Sequence, residues 1–276
     1  MFPYNAYKDI DLHGEGRWLN LQLNGHPITV CVDSGSQFNF LTLDTFLESG
    51  YRWEDLLDQV LLPPNTWNGR ETVPTWATPH VLLKIGTLAV QATFLVCPRV
   101  LHNVVGLAFL ADIGVHQEWI PRRWWSRHST VKLWFRHQDR VNRRWGGSHH
   151  LSVKIKVDDQ HVEALIDTGS PDCKISEDLV KTLKLPIMPS SWKRIVRHVD
   201  VEINEVKICL PELYVTATSN TKLTLGQSFL TRQRVLLDYE NSALYITTKC
   251  TFFSHCVWAT NNKFIRASLM PKEYSE

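Results

Sequence analysis

Long apolar runs are missing from this chain of 276 residues, and nothing approaches the roughly twenty consecutive apolar residues that cross a bilayer as a helix. Net charge is nearly missing too. Thirty Lys and Arg stand against 28 Asp and Glu, a formal +2. That balance excludes a binder driven by overall charge toward nucleic acid or lipid, while leaving room for a local basic patch. The six cysteines, Cys31, Cys97, Cys173, Cys209, Cys250 and Cys256, include no Cys-x-x-Cys pair. Neither a disulfide framework nor a zinc site is therefore expected, and a reducing compartment fits best. His149-His150 and His255-Cys256 lack a four-ligand spacing, so no metal or other cofactor is expected. The opening Met1-Phe2-Pro3-Tyr4 soon reaches Lys8, Asp9 and Asp11, unlike a secretory leader, and the expectation is a soluble, cytoplasmic protein.

What the chain has is a 43% hydrophobic content broken into short runs rich in Val, Ile, Thr, Trp and Phe, punctuated by Gly and Pro. That pattern predicts an all-β fold. Leu19, Leu21 and Leu23 alternate with Asn20 and Gln22, Asn24-Gly25 supplies a tight-turn dipeptide, and Ile28, Val30 and Val32 alternate again into Asp33. The same hairpin returns as Val153, Ile155 and Val157, a turn at Asp158-Asp159, then Val162, Ala164 and Ile166 leading into Asp167.

Placing Asp33 on Asp167 gives an offset of 134 that also matches, without a gap, Ser36 to Ser170, Leu41 to Ile175, Thr42 to Ser176 and Asp44 to Asp178. A repeat of this length means one fold built twice. Further on, Ile85-Gly86-Thr87-Leu88 partners Ile203-Asn204-Glu205-Val206, but the first copy spends 16 more residues getting there. The extra residues fall around Pro63 to Arg70. Each copy then closes on a strand, a Gly and a Phe-Leu turn of helix, at Gly106 to Leu110 and at Gly226 to Leu230. The organisation read from this is an N-terminal arm at 1–17, a first lobe at 18–135, a basic linker at 136–150, a second lobe at 151–247 and a C-terminal strand and tail at 248–276. The last dozen residues are expected to fray.

Two carboxylates within hydrogen-bonding distance cannot both ionise cheaply, so they share a proton and titrate as a unit. The ionised member can take a proton from a water while the protonated one donates to a carbonyl oxygen, which attacks an amide without a covalent intermediate. Asp33 and Asp167 are the candidate catalytic pair. Ser34 and Thr168 can cross-brace the two loops, Gly35 and Gly169 let them approach closely, and Ser36 and Ser170 can reach the outer carboxylate oxygens. One such site alone reads as an ordinary turn aspartate; two at matched positions in a repeat do not. Cys31 and Cys173 flank the two loops and read as packing residues, no paired base being evident.

The double Asp-Ser/Thr-Gly-Ser signature after an apolar hairpin, with the strand-Gly-x-x-Phe-Leu segment, resembles the retropepsin-like aspartic proteases of retroviruses and long-terminal-repeat retroelements, present twice in one chain. Leu225 to Leu230, followed by Leu237-Asp238-Tyr239 and Leu244-Tyr245-Ile246, is similar to the end of proteases from gypsy-type elements and plant pararetroviruses. The resemblance covers roughly residues 18–135 and 151–247. It implies two closed-barrel lobes related by a pseudo-twofold, one Asp from each, acting as a monomeric pseudo-dimer on an extended peptide or polyprotein in the host cytoplasm or a virion.

One departure concerns the flap. Only the first copy has the extra residues, which points to a single flap near Trp67 to Thr75, with Trp67, Asn68, Gly69 and Trp76 as candidate substrate contacts. The competing expectation is an inactive tandem used for binding. Residues 122–150 carry eight Lys and Arg against a single acid, Asp139, interleaved with Trp124, Trp125, Trp134 and Trp145, and could grip phosphates and stack bases. A solvated linker beside packed Trp residues is the favoured reading of that stretch. No membrane partner is expected.

Overall fold

The computed structural model describes residues 7–12, 17–57, 59–62, 73–86, 88–113, 115–121, 129–136, 151–189, 193–217, 221–239, 243–249, 262–268 and 270–271. Among them the fold is nearly all-β, with four one-to-two-turn α-helices and a 3-10 turn set among the strands.

Each half opens on the hairpin its alternation predicts. Trp18–Leu23 pairs with His26–Asp33, and the turn between them uses Asn24 and Gly25 with φ of 50° and 86°, the left-handed pair that matches strand twist. Leu19, Leu21 and Leu23 are buried while Asn20 and Gln22 face solvent. In the second half Leu151–Val157 pairs with Gln160–Ile166, and Asp158 takes φ 47° at the turn. A short strand and a capped helix follow in both halves. Thr42 accepts from Thr45 N at 3.1 Å to start the helix Leu43–Glu48, and Ser176 accepts from Leu179 N at 3.2 Å to start Glu177–Thr182, satisfying amides that a helix start leaves without intrahelical partners.

The strands form three sheets. The first, of nine strands, holds residues of the first half, and Asn103–Gly106 lies parallel to His26–Asp33 within it. The second has eight strands and places Leu223–Leu225 parallel to Gln160–Ile166 in the same way. Its long strand Arg194–Ile203 also pairs with Leu151–Val157, which closes a ring of six strands.

The first sheet stays open. Where the second has one uninterrupted strand, the first has Val73–Ala77 and Val81–Ile85 with a break at Thr78–His80. Pro79 has no N–H to give a ladder. Thr78 satisfies the local backbone instead: its N–H donates to Phe94 O at 2.8 Å and its Oγ1 accepts from Phe94 N at 3.0 Å.

The third sheet bridges the halves. Its order is Tyr7–Leu12, Ser129–Arg136, Val115–Pro121, Leu236–Asp238, Ala243–Lys249, Asn262–Ser268. The middle of this sheet is the ladder between Val115–Pro121 and Leu236–Asp238, where Gln117 lies opposite Leu237. The N-terminal arm thus contains a paired strand, Tyr7–Leu12. The expectation that the last dozen residues fray is corrected for 265–268 and 270–271, the rest of them lying outside the described residues: Asn262–Ser268 extends the bridging sheet and Met270–Pro271 pairs with Leu151 and Ser152, because each finds an edge strand with ladder groups to satisfy. The apolar run at 251–258 lies outside the described residues. One buried apolar cluster, including Leu23, Phe46 and Leu83 from the first half and Ile155, Ile203 and Leu244 from the second, runs through both.

Candidate active site

Two parallel strand pairs deliver the carboxylates. Val32 lies opposite Val105 and Asp33 opposite Gly106; Ile166 lies opposite Leu225, whose carbonyl accepts from Asp167 N at 3.1 Å. Each chain then turns sharply, Ser36 N donating to Asp33 O at 3.2 Å and Ser170 N to Asp167 O at 3.3 Å. The glycines opposite are required by space. A β-carbon on Gly106 would meet the carbonyls of Phe38 and Ser36, and one on Gly226 those of Asp172 and Ser170.

The turns meet and brace each other. Ser34 N donates to Thr168 Oγ1 at 2.8 Å and Thr168 N donates to Ser34 Oγ at 3.1 Å. Ser34 Oγ donates onward to Ile166 O at 2.8 Å and Thr168 Oγ1 to Val32 O at 3.0 Å. Both side chains are fully buried. Four cross-half hydrogen bonds away from water hold the loops in one register, since breaking any of them orphans a buried group. Two further bonds tie the second loop: Gln227 Nε2 donates to Thr168 O at 2.8 Å, and the Arg17 guanidinium to Gly169 O at 3.3 Å.

This brace brings Asp33 and Asp167 together, each carboxyl against the glycine of the opposite loop. A β-carbon on Gly35 would lie 2.7 Å from the Asp167 carboxyl carbon, and one on Gly169 would collide with the Asp33 carboxyl. Gly35 N donates to Asp33 Oδ1 at 2.9 Å, while Gly169 N and Ser170 N both donate to Asp167 Oδ1 at 2.9 Å. Burial, the facing charge of Asp167 and a hydrogen bond to it push the Asp33 carboxyl up to about 8, against the smaller downward pull of the Gly35 and Ser36 amides. Such a pair holds one proton between two carboxyls near neutrality.

Ser36 and Ser170 act differently from the sequence-based expectation, which placed their hydroxyls on the outer carboxylate oxygens. Ser36 Oγ donates to Phe38 O at 2.8 Å and Ser170 Oγ to Asp172 O at 2.9 Å. The loop amides already occupy the carboxylates, so each hydroxyl uses its single proton on a carbonyl two residues on. Cys31 is buried, and burial followed by the charge of Asp33 pushes its thiol up to about 12. Burial also raises the Cys173 thiol, whose Sγ lies 3.3 Å from Ser228 Oγ. Neither is activated as a nucleophile.

Gln59–Leu62 and Val73–Ala77 form a hairpin with residues 63–72 between them, against 190–193 between Met188–Pro189 and Arg194–Ile203 in the second half. Trp76 sits at the base of the longer hairpin, opposite Gln59 and Val96, with its ring edge-on to Trp53 at 4.8 Å. Trp67, Asn68 and Gly69 lie outside the described residues, as do His149, His150, His255, Cys256 and the basic stretch at 122–128 and 137–150. Among the described residues no three His, Cys, Asp or Glu side chains cluster as a metal site, and no helix is long and apolar enough to cross a membrane.

The sequence reading missed the floor of the site. Tyr239 is 1% exposed and donates its phenol proton to Gln117 Oε1 at 2.9 Å, and its phenol, kept well above its ordinary value chiefly by burial, feels the charges of Asp33 and Asp167. Both residues stand in runs that read simply as strands. The one hint is that Gln117 puts an amide at the register position where its partner strand has Leu237.

The second half matches a protein-family profile described as aspartyl protease over residues 153–229. Among solved structures, the chain is similar to the crystal structure of the retroviral protease-like domain of Ddi1 from Leishmania major. The two share 15% identity with a TM-score of 0.36, and the match covers 46% of this chain and 96% of that one. No curated protein matches the sequence. The chain therefore has an aspartyl-protease-like second half in a nearly all-β fold, with a carboxylate at the equivalent turn of the first half.

Proposed function

We propose that the chain is an aspartic endopeptidase whose two halves form an internal pseudo-dimer, Asp33 and Asp167 being the catalytic pair. The observation that carries this reading is the crossed contact of the carboxyls with the opposite glycines, Asp167 against Gly35 and Asp33 against Gly169, with Asp33 raised by burial and by the facing Asp167. A water held between the carboxyls would lose a proton to the ionised member as it attacks a peptide carbonyl, whose oxygen takes a proton from the other. The neutral tetrahedral product then collapses with proton transfer to the leaving nitrogen, returning the pair to its singly protonated state. No cofactor enters any step. An extended peptide fits such a cleft through its backbone, and the paired strands Gln59–Leu62 and Val73–Ala77 stand where the sequence puts the longer flap. Processing of a viral or retroelement polyprotein in the cytoplasm or a virion is the substrate setting the sequence resemblance suggests.

A digest of a mixed peptide library scanned across pH tests this. Asp33→Asn and Asp167→Asn are each expected to abolish cleavage, and a pepstatin-type inhibitor to bind the parent chain. Undiminished cleavage by either variant rejects the shared pair. Absence of cleavage at every pH by the parent chain favours a binding module instead.

A further inference from the structure

We propose that Phe38 and Asp172 are matched specificity-determining residues that read opposite ends of one peptide, so that the preferred substrate carries an aromatic or aliphatic side chain on one side of the cleaved bond and a Lys or Arg on the other. The inference rests on the catalytic reading of Asp33 and Asp167 and adds the class of peptide the pair acts on.

The two positions are equivalent in sequence and in backbone contacts. Phe38 lies five residues after Asp33 and Asp172 five after Asp167. The carbonyl of each accepts the hydroxyl proton of its loop serine, Ser36 Oγ donating to Phe38 O at 2.8 Å and Ser170 Oγ to Asp172 O at 2.9 Å. The same carbonyls occupy the space that a β-carbon on Gly106 or Gly226 would need. Gly106 is the register partner of Asp33, and Gly226 follows Leu225, whose carbonyl takes the Asp167 amide. Each residue is therefore two strand spacings, roughly 10 Å, from the backbone of its carboxylate, the reach of about three residues of an extended peptide. The reciprocal bonds between Ser34 and Thr168 exchange one loop for the other, which puts the two positions on opposite sides of the pair.

Their side chains differ in kind. Phe38 is 44% exposed, its ring edge-on to the buried Phe40 with 6.4 Å between centroids. A fixed aromatic ring left in water gains by being covered with an apolar side chain. Asp172, its side chain 35% exposed, meets Lys193 at 3.7 Å, which is too long for a hydrogen bond. Lys193 has a second station, its ammonium lying 4.0 Å from the centroid of the Tyr214 ring. The ammonium can stay over that ring while Asp172 turns to an incoming cation. A guanidinium or ammonium on the peptide then makes the short charge-assisted bond that Lys193 does not.

The full chain digesting a mixed peptide library, with the products sequenced by mass spectrometry, tests this. Lys or Arg is expected within about four residues on one side of the cut and an apolar residue at a similar distance on the other. Asp172→Asn is expected to lose the basic preference and keep the apolar one, and Phe38→Ser the reverse. On one well-cleaved peptide and its counterpart with norleucine in place of the basic residue, Asp172→Asn is expected to raise KM about tenfold for the basic peptide only, with kcat unchanged, the size of one charge-assisted bond. Lys193→Ala is expected to lower that KM, since a competing cation is gone. Retention of the same library on the full chain carrying Asp33→Asn reads the preference without turnover. Selective retention by a chain whose parent cleaves nothing rejects the protease reading and supports the matched pair. Equal losses on both peptides in Asp172→Asn, which a merely structural role would give, overturn the inference. So do preferences unmoved by either substitution, and a library neither cut selectively nor retained.

Discussion

Gly35 faces the carboxyl of Asp167 so closely that a β-carbon would lie 2.7 Å from its carbon, well inside van der Waals contact. The pair is therefore set by the absence of a side chain as much as by its carboxyls. Gly35→Ala or Gly169→Ala must push a carboxyl aside. Each is expected to lower kcat/KM by at least about 100-fold, since a displacement on the order of 1 Å at the reacting groups costs that much. Steady-state kinetics on a cleaved peptide, with circular dichroism to confirm the fold, checks this.

The brace should dominate stability. Ser34→Ala removes the acceptor of Thr168 N and the donor to Ile166 O; Thr168→Val removes the mirror-image bonds. All the affected groups are buried, so each change is expected to cost about 2–4 kcal/mol in urea unfolding. By contrast, Lys193→Ala breaks a 3.7 Å ion pair to Asp172 whose members are 56% and 35% exposed, and should cost under about 1 kcal/mol.

The raised Asp33 carboxyl has a pH signature in stability as well as activity. Its folded value, about 8, lies above the ordinary 3.8, so the native state binds the extra proton between those values. Its contribution is fully present below about pH 4 and is lost as pH rises through about 8. Asp33→Asn, which needs no proton, should match the parent chain near pH 3 and become progressively more stable relative to it toward pH 8, with no further gain above. Unfolding midpoints across that range provide the check; a constant difference contradicts it. Cleavage by the parent chain, which needs one protonated carboxyl, should fall through the same alkaline range.

Asn103 anchors the helix beside the first loop. Its Oδ1 accepts from Thr42 N, and its Nδ2 donates to Thr29 O and Thr45 Oγ1, at 3.0 to 3.1 Å. Asn103→Leu is expected to cost about 2–3 kcal/mol, because Thr42 N and Thr29 O are left without these partners in a half-buried setting. Thermal denaturation measures it.

Much of this site could be read before the structure because its cause is local. The alternation around Asn24-Gly25 specifies one hairpin and its register, and that register alone puts Asp33 at the end of a buried strand. The same logic places Asp167. What lay hidden depends on contacts across the chain. The strand Tyr7–Leu12 has a polar sequence and becomes a strand only through Ser129–Arg136. The opening of the first sheet depends on Pro79 falling where the other half continues its ladder. Gln117 and Tyr239 carry no local signal, because a polar group in a strand reads as solvent-facing until the opposite face is known to be covered as well.

The bridging sheet also sets a schedule. Its central ladder joins Val115–Pro121 to Leu236–Asp238, so it cannot form while the ribosome still holds the latter segment. The first half can leave the tunnel and collapse with Asp33 exposed on an unmated turn, facing no second carboxyl. Contacts of such sequence separation form late and slowly. The two carboxylates would therefore be paired only once Leu236–Asp238 has emerged, so that a shorter nascent chain carries two unmated halves beside its own unfolded remainder.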